Sequence, residues 1–360
     1  MRSDSTNDTP PALSIVLSTC RLGGLDITWD MCARQTERDF ELILVDYFYY
    51  ERREIVADRA AETGLPPERF LHIPPRNGCW EATASAGEAY NTGLALARGD
   101  LVCMLGDYQH QYDDFVKDHL GCFREWGGKI TLAGDFGAFS YAGESFDRER
   151  PADHLFSVFS PEFTYDASRV TNRIYYAHRG PHVDEHGFLP GESFNATQNE
   201  SIPREALYKI NGMDEIYDGR RGFQDQDIGF RLIQAGYRQR YLPDLTEAVH
   251  LWTHDKRAVP DGASTWGGAI WQPSGMRNAN LLEMRKLFGF PPAAFNGGFF
   301  LRKPVSVHDI LEMAAARRPK HARPFCQIPE PGWEHRFSSE PPAGSPTLLT
   351  SSYLEKTPQK

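Results

Sequence analysis

Short, nearly continuous apolar runs alternate with helix-forming stretches over the first hundred residues. Leu13 to Ser18, Phe40 to Val45, Phe70 to Ile73 and Leu101 to Leu105 have the pattern of strands buried on both faces of a parallel sheet. Between them, Leu25 to Gln35, a stretch from about Asp58 to Thr63 stopped by Gly64, and Ala82 to Ala97 predict helices, with a turn at Arg98-Gly99-Asp100. This strand-helix alternation predicts an α/β fold, a parallel sheet wrapped by helices. Ligands of such sheets bind beyond the C-terminal ends of the strands, where Asp46 and Asp107 would both lie.

From about Phe136 to Ser201 the pattern is irregular, aromatic and charged, as in loops that carry specificity. Regularity returns with a helix over Pro203 to Ile210, a turn at Asn211-Gly212, a helix from about Gln226 to Ala235 stopped by Gly236, and a strand from Tyr237 to Leu242. Met276 to Phe288 and Val305 to Arg318 also look helical. The stretch from Arg318 holds eight of the 25 prolines and little periodicity, which predicts disorder. The expected organisation is a flexible terminus over 1–11, an α/β domain over 12–255, a helical extension over 256–317 and a Pro-rich tail over 318–360.

The 360 residues are 40% hydrophobic and 24% charged, an ordinary globular balance. A net charge of −10 argues against a broad electrostatic grip on nucleic acid. The six cysteines form no CxxC pair, so neither a zinc module nor a disulfide scaffold is expected, and reduced, mostly buried thiols are. With no apolar leader and no spanning stretch, the expectation is a cytoplasmic protein, with peripheral membrane association left open.

Four segments carry candidate chemistry. The first is Arg34-Gln-Thr-Glu-Arg-Asp-Phe-Glu-Leu-Ile-Leu-Val-Asp46, preceded by a strand ending Leu17-Ser-Thr19. The second is Asn91-Thr-Gly-Leu-Ala-Leu-Ala-Arg98-Gly-Asp-Leu-Val-Cys-Met-Leu-Gly-Asp107-Tyr-Gln109. The third joins Asn211-Gly-Met-Asp-Glu215 to Gly222-Phe-Gln224-Asp225-Gln-Asp227-Ile-Gly-Phe-Arg231-Leu-Ile-Gln-Ala-Gly236-Tyr. The fourth is Ala248-Val-His250-Leu-Trp-Thr-His254. In this order they resemble the nucleotide-sugar-dependent glycosyltransferases of the GT-A fold, family 2 type. The acidic helix and His segment are as in related galactosyl- and N-acetylgalactosaminyltransferases. The resemblance covers about Leu13 to Asp255 and is most specific in the third segment.

The resemblance implies a Rossmann-like, mostly parallel sheet sandwiched by helices. It implies that Asp46 hydrogen-bonds the nucleotide base, that Thr19 lines the same pocket, and that Asn91 belongs to the donor site. Asp107 stands where the family has its DXD motif and would bind Mn²⁺ or Mg²⁺ on the diphosphate, with His250, or else His254, completing the site. Asp225 takes the place of the general base. The sequence departs from the family in two places. Gly106-Asp107-Tyr108-Gln109 holds one acid where several are usual, so that Gln109 is a candidate substitute ligand, and Gln224 replaces a Glu.

Plainer roles stand beside these: Asp46 starting a loop, Asp225 and Asp227 complementing a helix N-terminus, and the histidines packing among aromatics. The implied activity is inverting transfer of a hexosyl or N-acetylhexosaminyl group in polysaccharide biosynthesis. The donor is a nucleotide sugar, a UDP-sugar being the first expectation, and the acceptor a hydroxyl of a glycan, lipid-linked or small-molecule partner. No QxxRW motif is present, which favours single addition. Two alternatives remain: a non-catalytic relative of the fold that binds glycan or scaffolds an assembly, and a sugar-nucleotide pyrophosphorylase.

Overall fold

The computed structural model describes residues 9–19, 24–76, 87–106, 109–134, 136–140, 172–174, 188, 200–218, 223–241, 248–252, 273–289 and 303–317. The apolar runs form β1 (Leu13–Thr19), β2 (Phe40–Asp46), β3 (Phe70–Ile73) and β4 (Leu101–Gly106), all mutually parallel where they pair. Three shorter strands complete the sheet: β6 (Ile130–Ala133), β9 (Glu200–Pro203) and β10 (Arg238–Tyr241). Its order is β3-β2-β1-β4-β9-β6-β10, and β9 alone runs antiparallel to its neighbours. A second sheet has the order β5-β11-β7-β8, from β5 (Gln109–His110), β11 (Ala248–Trp252), β7 (Phe136–Ser140) and β8 (Asn172–Ile174).

Alternate side chains of the central strands point to opposite faces and build two cores. Val16, Ile43, Val45, Val102 and Met104 pack with α3 (Gly87–Leu94), α5 (Arg204–Ile210), α6 (Gln224–Gln234) and, through Ile310, α8 (Val307–Arg317). Leu13, Ile15, Leu17, Leu42, Leu44, Leu101 and Leu105 pack with α1 (Leu25–Arg34), α2 (Tyr49–Arg59) and α4 (Phe115–Trp126). The expected α/β architecture, a mostly parallel sheet between helices, is what forms. Cys32 and Cys103 are buried free thiols, and burial pushes the Cys32 thiol up to about 12.

Two details depart from the sequence pattern. The helix expected from about Asp58 starts nine residues earlier, at Tyr49, directly after β2. Its start is set by a local turn, in which Asp46 Oδ1 accepts from Phe48 N at 2.7 Å. The short β6 and β9 have no apolar signature long enough to read, and β9 pairs with strands remote in sequence. The remaining helix, α7 (Pro273–Phe288), matches the stretch expected from Met276.

α3 lies unusually close to the sheet. A Cβ added at Gly93 would sit 2.4 Å from Val16 Cγ1 and 3.1 Å from Val45 Cγ2, and a β-branched neighbour has little freedom to give way. Gly93→Ala is therefore expected to destabilise the fold by about 1–3 kcal/mol through overpacking. Gly121→Ala within α4, where a Cβ meets nothing within 4 Å, is expected to stabilise by about 0.5–1 kcal/mol. Denaturant midpoints of the two variants, moving in opposite directions, check both.

Candidate functional site

The strand order places β2 and β4 on opposite sides of β1, so the chain leaves β1 toward one side and β4 arrives on the other. A crevice opens at such a switch point, at the C-terminal ends of the strands. Register brings Thr19 opposite Asp46, and Ser18 opposite Gly106. The end of β4 leads into Asp107, which lies outside the described residues.

Asp46 is fully buried. Its Oδ2 accepts from Arg52 Nε at 2.6 Å and meets His72 Nε2 at 2.8 Å; its Oδ1 accepts from Arg52 Nη2 and Phe48 N, each at 2.7 Å. A carboxylate has about four lone-pair positions, and these contacts fill them. Burial alone would raise the Asp46 pKa, but the Arg52 and His72 contacts together outweigh it and hold the carboxyl well below the usual range. His72 therefore carries its proton on Nε2, and the Tyr49 ring packs on the imidazole with centroids 4.8 Å apart. Arg52 also reaches Thr19 Oγ1 at 3.5 Å. The two residues expected to receive the base are thus tied together from beneath by one buried arginine. A base could reach an Asp46 oxygen only by displacing one of these partners.

Asn91 is likewise turned inward. Its amide donates to Met213 O at 2.8 Å and Glu215 Oε1 at 3.0 Å, while its oxygen accepts from Met213 N at 2.9 Å. Arg76, just after β3, pairs with the same Glu215. Together with the close approach at Gly93, this gives the Asn91-Thr-Gly93 segment a packing role: it fastens α3 to the sheet and to the Asn211-Gly-Met-Asp-Glu215 segment.

A second fastening reaches the acidic helix. Tyr47 OH donates to Glu88 Oε2 at 3.1 Å, and Glu88 N donates to Asp218 Oδ2 at 2.8 Å. The segment leading to α6 is therefore held at the end of the sheet where β2 finishes. α6 begins after Phe223, whose φ of 73° lies in the left-handed region and which makes no side-chain cap. A bulky residue there is a conformational outlier of a kind that gathers at functional sites. Gln224 and Asp225 follow immediately. Both are part-exposed, and Asp225 Oδ1 accepts from Gln226 N at 2.9 Å.

Asp227 is fully buried instead. It accepts from Arg231 Nε at 2.7 Å and Tyr217 OH at 3.1 Å, and pairs with Arg285 of α7. Its surroundings neutralise it and leave no oxygen facing solvent.

Gln109 is buried, and its Oε1, the candidate substitute ligand, accepts from Gly106 N at the end of β4 at 3.0 Å. β11 runs antiparallel to β5 with His250 opposite Gln109. The second sheet thus sets the His250 position opposite Gln109, two residues along the chain from Asp107, while His254, like Asp107, lies outside the described residues. Among the described residues, no group of three or more His, Cys, Asp or Glu side chains is gathered to hold a metal ion. No helix among them is long and apolar enough to cross a membrane.

The sequence analysis missed Arg52, His72, Glu88, Asp218 and Arg285. Arg231 did carry a signal, the i,i+4 spacing from Asp227 on one helix face. Arg52 and Arg285 sit in charged helical stretches that read as solvated surface.

No family model matches the chain, and no curated protein does. Among solved structures, S. aureus TarS 1–349 in complex with UDP-GlcNAc is similar with a TM-score of 0.47 and 14% identity, over 86% of this chain and 72% of that one. Mannosyltransferase PcManGT from Pyrobaculum calidifontis, in complex with GDP-Man and Mn²⁺, is similar with a TM-score of 0.47 and 15% identity, over 87% of this chain and 76% of that one.

Proposed function

We propose that this chain is a nucleotide-sugar-dependent glycosyltransferase that transfers one sugar to an acceptor hydroxyl with inversion. The observation that supports it most is the joining of the motif segments at one end of the sheet. Thr19 and Asp46 end paired strands, the His250 position lies opposite Gln109, two residues after Asp107 in the chain, and the segment entering α6 is tied through Asp218 and Glu88 to Tyr47. In this reading the nucleotide lies in the crevice at the ends of β1, β2 and β4. Asp46 acts on it indirectly, since Arg52 and His72 hold the carboxylate as the floor of the base pocket.

Asp225 is the general base. It stands at the start of α6, part-exposed and next to the neutral Gln224, whereas Asp227 is fully buried. An acceptor hydroxyl within hydrogen-bond reach would lose its proton to this carboxylate as the oxygen attacks the anomeric carbon. Asp107 and His250 would hold a divalent cation, Mn²⁺ or Mg²⁺. One carboxylate and one imidazole suit such an ion in type when the diphosphate supplies further oxygens. When bound, it supplies counter-charge for the leaving diphosphate. The protein's own contribution is to orient donor and acceptor, which can account for up to about 7–11 kcal/mol of the barrier.

The test is a panel of UDP-, GDP-, dTDP- and CMP-sugars incubated with the purified chain and Mn²⁺ or Mg²⁺, read by mass spectrometry for slow release of free sugar. One nucleotide class is expected to be hydrolysed slowly and to bind in calorimetry. Absence of binding by every nucleoside diphosphate would overturn the enzymatic reading and favour a non-catalytic relative. Pyrophosphate formed from a sugar phosphate and a nucleoside triphosphate would favour a pyrophosphorylase.

A further inference from the structure

We infer that Arg285, on α7 and far from the motif segments in sequence, is the positioning residue of the acidic helix. The inference rests on the reading of Asp225 as the base and assigns a role to the helical extension. Arg285 Nη2 meets Asp214 Oδ2 at 2.7 Å, and its Nη1 pairs with Asp227 Oδ1. One guanidinium thus takes a carboxylate from each half of the split motif, Asn211-Gly-Met-Asp-Glu215 and Gln224-Asp225-Gln-Asp227.

The cluster is charge-balanced: Asp214 and Asp227 against Arg231 and Arg285, all largely buried. Arg231 Nη1 donates to Ile210 O at 2.9 Å and Gly212 O at 2.6 Å, holding the first half of the motif from the other side. Asn278, also on α7, donates to Tyr217 O at 3.1 Å, and the Arg285 guanidinium lies 5.4 Å from the centre of the Tyr217 ring. A planar fork that bridges two carboxylates is a task for arginine, since a lysine ammonium is a point charge.

The start of α6 gives this clamp its consequence. Phe223 is left-handed and provides no side-chain cap, so the first turn lacks the usual device that stops a helix end from fraying. Asp227 anchors that turn to Arg231 and Arg285 by charge, and Asp225 precedes it by two positions on the same turn. Loosening the Asp227 anchor therefore moves Asp225. Among the described residues, the side-chain partners of Arg285 are Asp214, Asp227 and Tyr217, and none of them lies on β1, β2 or β4, the strands of the donor pocket. The clamp should accordingly govern turnover and leave donor affinity alone.

Arg285→Ala is expected to speed amide hydrogen exchange in 224–234 at least tenfold while exchange in α3 and α4 stays as in the wild type. It is also expected to lower kcat by about 10²-fold, the cost of a misplacement of about 1 Å, with donor KM within about threefold. Arg285→Lys, which can reach one carboxylate at a time, should fall between wild type and Arg285→Ala in both readouts, and it serves in their place if the alanine variant does not fold. Unchanged exchange in 224–234, or an equal rise throughout the chain, would overturn the inference. So would a loss that appears in donor KM rather than kcat. If the wild-type chain transfers no sugar from any donor, the functional reading fails, and the exchange measurement still decides whether Arg285 holds the helix.

Discussion

Asp225→Asn is expected to lower sugar transfer by about 10²–10⁴-fold, the range supplied by a positioned general base, while donor binding is retained. The substitution is nearly isosteric. An amide oxygen still accepts the Gln226 N–H that Asp225 Oδ1 accepts at 2.9 Å, so the helix start keeps its geometry, and what is lost is the capacity to take a proton. The neighbouring acid provides the contrast. Asp227 is fully buried between Arg231, Arg285 and the Tyr217 hydroxyl. Asp227→Asn should therefore show itself first in a lower denaturation midpoint. The check is initial transfer rate with an identified donor, together with calorimetry of that donor on both proteins. Transfer by Asp225→Asn at near the wild-type rate would remove the assigned base.

The second large effect is one of stability. Arg52→Met is expected to cost about 3–5 kcal/mol, because it leaves the Asp46 carboxylate buried without its main partner. Arg52 and Asp46 are both fully buried and joined at 2.6 and 2.7 Å. The pH dependence follows in sign. In the wild type the Asp46 carboxyl is held below its unfolded value of about 3.9. Its contribution is therefore complete above that value and is lost as pH falls through the folded value. In Arg52→Met, burial, the largest single influence on Asp46, is opposed only by the His72 contact and the Phe48 N–H. The carboxyl then titrates higher, and that variant gains stability on acidification. The gap between wild type and variant should narrow as pH falls from 7 toward about 4. Urea unfolding of both proteins at several pH values measures it. Equal midpoints at neutral pH would show that the buried pair does not hold the crevice wall.

The central strands were legible because burial on both faces leaves a continuous apolar run, and Leu13 to Ser18, Phe40 to Val45 and Leu101 to Leu105 have one. The later elements were less so. β9 is a four-residue strand inside an irregular stretch, and its antiparallel pairing joins it to β4, about 100 residues earlier, and to β6, about 70 residues earlier. The start of α2 was hidden for a different reason: Phe48 supplies no side-chain cap, and the turn is set instead by Asp46 Oδ1, which accepts from Phe48 N two residues on.

At the candidate site, the chain alone determined which residue types arrive at the ends of which strands, because strand periodicity and the position of the acidic helix are local properties. It also placed Asp225 at the beginning of that helix. Which carboxylates remain available to a ligand was decided only by the tertiary structure. Asp46, Asn91 and Asp227 are indistinguishable in sequence from site residues, yet Arg52 and His72, Met213 and Glu215, and Arg231 and Arg285 take up their polar atoms. A buried polar group must be matched by a partner. Some of these partners are remote along the chain, so only folding reveals whether a polar side chain is left for chemistry or absorbed into the scaffold.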